Sequence, residues 1–184
     1  LLARNGHRVF LWDRDAEHIR AMCERGVNQR YLPGIELPEG LQPVDDLHSA
    51  LQAADYILVV VPSAGFREVL KKTRAHLGTT FKLIWGSKGL EPGSGKFLHQ
   101  IVDEELPEHS DIAAVSGPSF AKEVARGLPT AVTVASKNTD YATRVAELLH
   151  CRRFRAYTSE DVVGVELGGS IKNVIRPNVA IDNT

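Results

Sequence analysis

The chain has 184 residues, and its 22 lysines and arginines nearly balance 23 aspartates and glutamates, which excludes a general electrostatic grip on nucleic acid. A 43% hydrophobic content is that of an ordinary globular protein, long enough for one domain with a sizeable core and the start of another. The longest apolar run, Ile57 to Val61, has the length of a strand and falls far short of the ~20 residues that span a bilayer. Cys23 and Cys151 are too few and too far apart for a disulfide framework, which points to a reducing, cytoplasmic compartment. Arg4, His7 and Arg8 stand where a signal peptide would carry its apolar core.

The elements follow in order. Leu1 to Ala3 read as the end of a helix closed by Asn5-Gly6. Val9 to Trp12 is a short strand ending at Asp13, and Ala16 to Arg25 a helix. A loop punctuated by Pro33, Gly34, Pro38 and Gly40 leads to a short helix over Leu47 to Ala54. Tyr56 to Val61 is a continuous apolar, largely β-branched run closed by Pro62, as expected of a central parallel strand buried on both faces. Phe66, Val69, Leu70 and Leu77 mark a helix, and Lys82 to Trp85 a strand. Phe97, Leu98, Ile101 and Val102 mark the next helix, and Ile112 to Val115 the next strand. Phe120 and Val124 belong to a short helix stopping at Gly127. Thr130 to Ala135 is a strand, Tyr141 to His150 a helix with Val145, Leu148 and Leu149 inward, and Phe154 to Tyr157 a strand. Val163, Leu167, Ile171 and Val174 then predict a buried helical stripe. Strand and helix in turn, with short links, predict a doubly wound α/β sheet.

Ligands of such sheets bind outside the carboxyl ends of the strands. That rule selects Asp13-Arg14, Pro62-Ser63, Gly86 to Gly89 and Ser116 to Ser119. Asp13 suits the hydroxyls of an adenosine ribose, and Arg14 a 2′-phosphate or an adenine ring, so use of both NAD and NADP is expected; a solvated turn is the alternative. Lys88, between Ser87 and Gly89, could meet a phosphate or polarise a carbonyl, or be a plain surface cation. Ser119 is positioned as an N-cap, with or without an anion at the free N–H groups. Gly168 and Gly169 stand one helical turn before Lys172. Two glycines in a helix cost ~1 kcal/mol each, so they imply either a ligand approaching bare backbone beside Lys172 or a close helix contact. Lys172 in a partly dry niche could move a proton. Gly93-Ser94-Gly95-Lys96 lacks the Walker spacing and reads as a turn before a helix. The seven histidines show no paired ligand spacing, so no metal site is expected.

The ordered set of Ala3 to Val9, Leu11 to Asp15, Asn28 to Pro33, Val60 to Ser63, Ser87 to Leu90, Ser116 to Glu123, Gly127 to Ala131 and Gly168 to Val174 resembles the bacterial NAD(P)-dependent sn-glycerol-3-phosphate dehydrogenases over nearly the whole chain. The resemblance implies reduction of dihydroxyacetone phosphate to sn-glycerol 3-phosphate with NAD(P)H, supplying phospholipid synthesis. It implies Lys172 as the catalytic proton donor, and Lys88, Gly117, Ser119 and Lys172 as substrate contacts. Arg14, Lys88 and Ala121 would be cofactor contacts, joined in some members by Tyr31. It divides the chain into a Rossmann-like nucleotide-binding domain over residues 1–160, lacking its first strand and Gly-rich loop, and the start of a helical substrate domain over 161–184. The Arg176-Pro177-Asn178 interruption departs from the family helix. The expected partner is a small phosphate ester, with no nucleic acid and no membrane span, and a homodimer in the complete enzyme. The chain alone is expected to be inactive. A β-hydroxyacid dehydrogenase of the 6-phosphogluconate type, or a non-catalytic nucleotide-binding remnant, are the alternatives.

Overall fold

The computed structural model describes residues 1–78, 81–107 and 111–174, with side chains as far as 171. A 3₁₀ turn over Leu2–Asn5 closes on Gly6 at φ 90°, where the left-handed backbone suits glycine. Then follow β1 (Val9–Trp12), α1 (Ala16–Arg25), β2 (Leu41–Val44), α2 (Leu47–Gln52), β3 (Ile57–Val59) and α3 (Ser63–Arg74). After these come β4 (Lys82–Trp85), α4 (Leu98–Glu105), β5 (Asp111–Ser116), α5 (Ala121–Ala125), β6 (Thr130–Ala135), α6 (Thr139–Leu149), β7 (Phe154–Ser159) and α7 (Val162–Val174). Asp15 and Asp46 cap α1 and α2, each carboxylate accepting two backbone N–H groups of the first turn.

The strands form two sheets: β1 pairs parallel with β2, and β3-β4-β5-β6-β7 line up in chain order. Alternating side chains of β4 feed both faces. Leu83 and Trp85 pack with Phe66 and Leu70 of α3 and with Leu98, Ile101 and Val102 of α4. Ile84 packs on the other side with Val132, Val134, Tyr141, Val145 and Leu149. Helices therefore cover both faces, as a doubly wound sheet requires. Tyr141 is buried within this core, and its hydroxyl donates to the Leu83 carbonyl at 3.2 Å. Burial pushes its phenol far above the ordinary range, so it remains a donor.

Three expectations are corrected. The loop after α1 contains β2, whose Pro43 hid it from pattern reading. Proline lacks the ladder N–H and is tolerated because β2 is an edge strand. The Tyr56 to Val61 run is not a central strand buried on both faces. It contributes only Ile57–Val59, at the edge of the five-stranded sheet, with Leu58 41% and Val60 65% exposed. Among the described residues no strand pairs with its outer side.

The doubly wound sheet is mixed, since β6 runs antiparallel to β5. The helix between them has five residues and rises about 7 Å, against about 20 Å for a six-residue strand, so it cannot carry the chain back for a parallel crossover. Finally, Val163, Leu167 and Ile171 are 47%, 44% and 44% exposed. Helix α7 turns Val162, Glu166 and Gly169 toward the sheet instead, and Val174 lies outside the described side chains.

An ionic hub ties α3 to α4. Arg67 holds Glu91 with two bonds, at 2.6 and 2.9 Å, and reaches Glu105 at 2.5 Å and Glu104 at 2.8 Å. The Arg67 guanidinium, helped by Ser94, lowers the Glu91 carboxyl from 4.5 to about 2. A depressed carboxyl stabilises the fold above its unfolded value and loses that contribution as pH falls through the folded one. Thermal melts should therefore show the gap between the wild type and Arg67→Ala closing as pH drops from about 4.5 toward 2. A gap independent of pH would refute the assignment.

Candidate active site

The site is built at the carboxyl ends of β4 and β5. After Trp85 the chain stays near β3: the Gly86 N–H donates to the Val59 carbonyl at 2.9 Å, and buried Ser87 accepts the Val61 N–H at 2.9 Å. Gly89, at φ 100°, turns the chain beside Ser63. Lys88 is thereby directed across to β5, where its Nζ donates to the Gly117 carbonyl at 2.8 Å. Gly117 is pinched against the start of β6. A Cβ there would lie 2.6 Å from the Ala131 carbonyl oxygen and 2.9 Å from Val132 Cα.

The strand reversal at β6 brings α7 to the same place. Because β7 runs parallel to β6, it ends at the edge opposite the carboxyl ends of β4 and β5. Helix α7, 13 residues long, spans about 20 Å and travels back along the sheet. Its second half thus arrives at Ser116 and Lys88. There the backbone of Gly169 fits against both, and an added Cβ would run into Ser116 Oγ. Gly168 has nothing within 4 Å. Gly169 is thus in close contact, with the end of β5 and the following loop rather than with another helix, whereas the Gly168 backbone is open. The resulting cleft is lined by Ser87, Lys88, Gly89, Ser116, Glu166 and Gly169, among others. Lys172 lies in α7 three residues beyond Gly169, and its side chain lies outside the described residues.

Ser119 does not cap α5. Its N–H donates to the Gly117 carbonyl at 2.8 Å, a tight turn that delays the helix by one residue, so that Phe120 occupies the cap position without a side-chain bond. Ala121 opens that helix and is exposed. Asp13 sits at the end of β1 with Oδ1 accepting the Asp15 N–H at 2.9 Å, so the turn reading holds for one of its oxygens. Arg14 is exposed and near Glu68 of α3, whose carboxyl it helps Lys72 to lower. Tyr31, 56% exposed, lies under the Arg30 guanidinium and edge-on to His18. Arg14 and Tyr31 therefore mark a second locality, at the end of β1. Cys23 and Cys151 are free thiols, and among the described residues no cluster of three or more metal-ligating side chains occurs.

Residues 1–142 match the family model described as the N-terminus of NAD-dependent glycerol-3-phosphate dehydrogenase. The chain belongs to this family. It is 54% identical over 174 residues to the glycerol-3-phosphate dehydrogenase [NAD(P)+] of Thioalkalivibrio sulfidiphilus, covering 95% of this chain and 52% of that protein. The crystal structure of glycerol-3-phosphate dehydrogenase from Coxiella burnetii superposes with a TM-score of 0.89 at 44% identity, over 94% of this chain and 53% of that one. The glycerol-3-phosphate dehydrogenase of Saccharomyces cerevisiae gives a TM-score of 0.75 at 27% identity, over 90% and 51%. The chain spans about half the length of the curated relatives it matches.

Sequence reading missed Glu166, Trp85 and His99. Glu166 is 8% exposed; its Oε1 accepts the Trp85 indole N–H at 2.9 Å and the His99 backbone N–H at 3.0 Å, and its Oε2 meets His99 Nδ1 at 2.5 Å. The one local hint is that Glu166 is the single carboxylate of α7, in a stretch from Val162 to Gly169 that is otherwise apolar, and this does not name its partners. No helix among the described residues is long and apolar enough to cross a membrane.

Proposed function

We propose that these residues form the nucleotide-binding half of an enzyme that reduces dihydroxyacetone phosphate to sn-glycerol 3-phosphate with NADH or NADPH. The reading is carried by the convergence of Lys88, Gly117 and Gly169 at the carboxyl ends of β4 and β5 in a chain of this family. When bound, the reduced nicotinamide supplies a hydride to the carbonyl carbon. Lys172 supplies the proton that the carbonyl oxygen then needs. Lys88, with Gly117 and Ser119, would orient the substrate, and Lys88 would also contact the cofactor.

The residues at β1 fit the adenosine end. Asp13 offers an acceptor to ribose hydroxyls, and exposed Arg14 a partner for a 2′-phosphate. Tyr31 joins this set, and Ala121, at the start of α5, is the cofactor contact proposed on the β5 side. A Gly-x-Gly-x-x-Gly turn does not occur within residues 1–184, so no residue here is assigned to the diphosphate. Under the same reading the enzyme is cytoplasmic and a homodimer, has no nucleic-acid partner, and its helical substrate domain begins at about residue 161.

The test is a chimera in which residues 1–174 replace the matching segment of the Thioalkalivibrio relative, followed through the loss of NADPH absorbance. Oxidation that depends on dihydroxyacetone phosphate is expected, with none on β-hydroxyacid substrates; a chimera that folds but turns over neither refutes the reading. The 184-residue chain alone is expected to show no turnover.

A further inference from the structure

We propose that Glu166 is a positioning residue that locks α7 onto the sheet, so that the Gly169 backbone is held against Ser116 and Lys88. The proposal rests on the active-site reading for its purpose, but its evidence is separate. Glu166 joins three elements: its own helix, the last residue of β4 through Trp85, and the first turn of α4 through His99. The indole N–H can only donate and is buried, so it requires an acceptor there. An ionised carboxylate only accepts, so His99 donates through its Nδ1–H as well as its backbone N–H. Both oxygens are thus engaged, and all three donors come from outside α7.

This arrangement answers a problem set by the rest of the helix. The apolar residues Val163, Leu167 and Ile171 face away from the sheet, and the turned-in face carries Gly169, which has no side chain to grip with. Val162 and Val165 anchor the start of α7 in the core, but among the described side chains no buried apolar one follows Glu166, so little apolar packing fixes the rotation and slide of the second half of α7. Glu166 lies one turn before Gly169 and supplies directional bonds in place of packing. Such bonds have preferred angles, whereas dispersion contacts do not, so they specify one register. Ser170 Oγ donates to the Glu166 carbonyl at 2.8 Å and ties the following turn to the same residue.

The experiment uses the 184-residue chain labelled with ¹⁵N. Its two tryptophans give two indole signals, assigned with Trp12→Phe. Glu166→Ala is expected to shift the Trp85 indole signal upfield, abolish the nuclear Overhauser contact between Gly169 and Ser116, and speed amide exchange over Val165 to Ile171 by about tenfold or more. Glu166→Gln keeps an oxygen that accepts from the Trp85 indole and the His99 backbone, and its amide N–H can donate to His99 Nδ1 in the other imidazole tautomer, so it is expected to retain the contact and the slow exchange.

Loss of the contact in Glu166→Ala with rescue in Glu166→Gln supports the proposal. An unchanged Gly169–Ser116 contact in Glu166→Ala overturns it and leaves Glu166 only as a partner for the indole. Should Glu166→Ala fail to fold, His99→Ala removes the Oε2 partner alone. Faster exchange at Val165 to Ile171 in that variant supports the lock, and unchanged exchange overturns it. Dihydroxyacetone phosphate is then titrated into each protein. If it moves no signal of the wild type, the substrate reading fails while the contact and exchange results still decide the role of Glu166.

Discussion

Lys172→Ala is expected to lower kcat of the chimeric enzyme by about 10²–10⁴-fold, the range contributed by a positioned general acid. Its KM for dihydroxyacetone phosphate should change far less. A proton donor acts as charge develops on the carbonyl oxygen, so its loss falls on kcat and kcat/KM together. The family resemblance names Lys172, and the course of its helix is compatible with that choice. Helix α7 runs back along the sheet to the carboxyl ends of β4 and β5, and Gly169 meets Ser116 and Lys88 there. Lys172 follows three residues later. Lys172→Arg should not restore activity, because a guanidinium holds its proton too tightly to release it at neutral pH. Steady-state kinetics decide the matter, and a fall in kcat of less than about tenfold would remove Lys172 from the proposed role.

Gly117→Ala is expected to destabilise the chain by about 3 kcal/mol, at the upper end of overpacking effects. The added methyl would face the Ala131 carbonyl oxygen at 2.6 Å and Val132 Cα at 2.9 Å. Both are backbone atoms of β6, a strand paired on both sides, so neither can move without disturbing the ladder. Gly168→Ala is the control. Nothing lies within 4 Å of its added Cβ, and alanine in a helix gains up to ~1 kcal/mol over glycine. Urea denaturation of the two variants should therefore move the midpoint in opposite directions. Equal stability of Gly117→Ala and wild type would contradict the described approach of β5 and β6.

Most of the architecture was legible because its signals are local. Aspartates before α1 and α2 cap them in place, glycines stop α1 and the 3₁₀ turn, and the alternation in β4 serves two cores. What was missed depends on partners outside the segment itself. The strand β2 exists by pairing with β1, and Pro43 conceals it. The apolar Tyr56 to Val61 run has the composition of a central strand, and nothing local to it says which strands lie beside it; among the described residues only β4 does. The stripe Val163, Leu167 and Ile171 has perfect helical spacing, and periodicity does not say which face a helix turns inward. Among the candidate site residues, Lys88 and Gly117 stand out in the sequence because glycine and proline flank them at strand ends. Glu166 was not, since its partners Trp85 and His99 lie 81 and 67 residues away.

The order of strands has a consequence for kinetics. Each strand pairs with its neighbour in the chain, in both sheets. Every pairing therefore closes a loop of only one intervening segment, and the entropy of closure grows with the logarithm of loop length. The sheet can assemble by adding one strand at a time, without waiting for a remote segment to arrive. Sequence-local pairing of this kind favours fast folding among α/β domains.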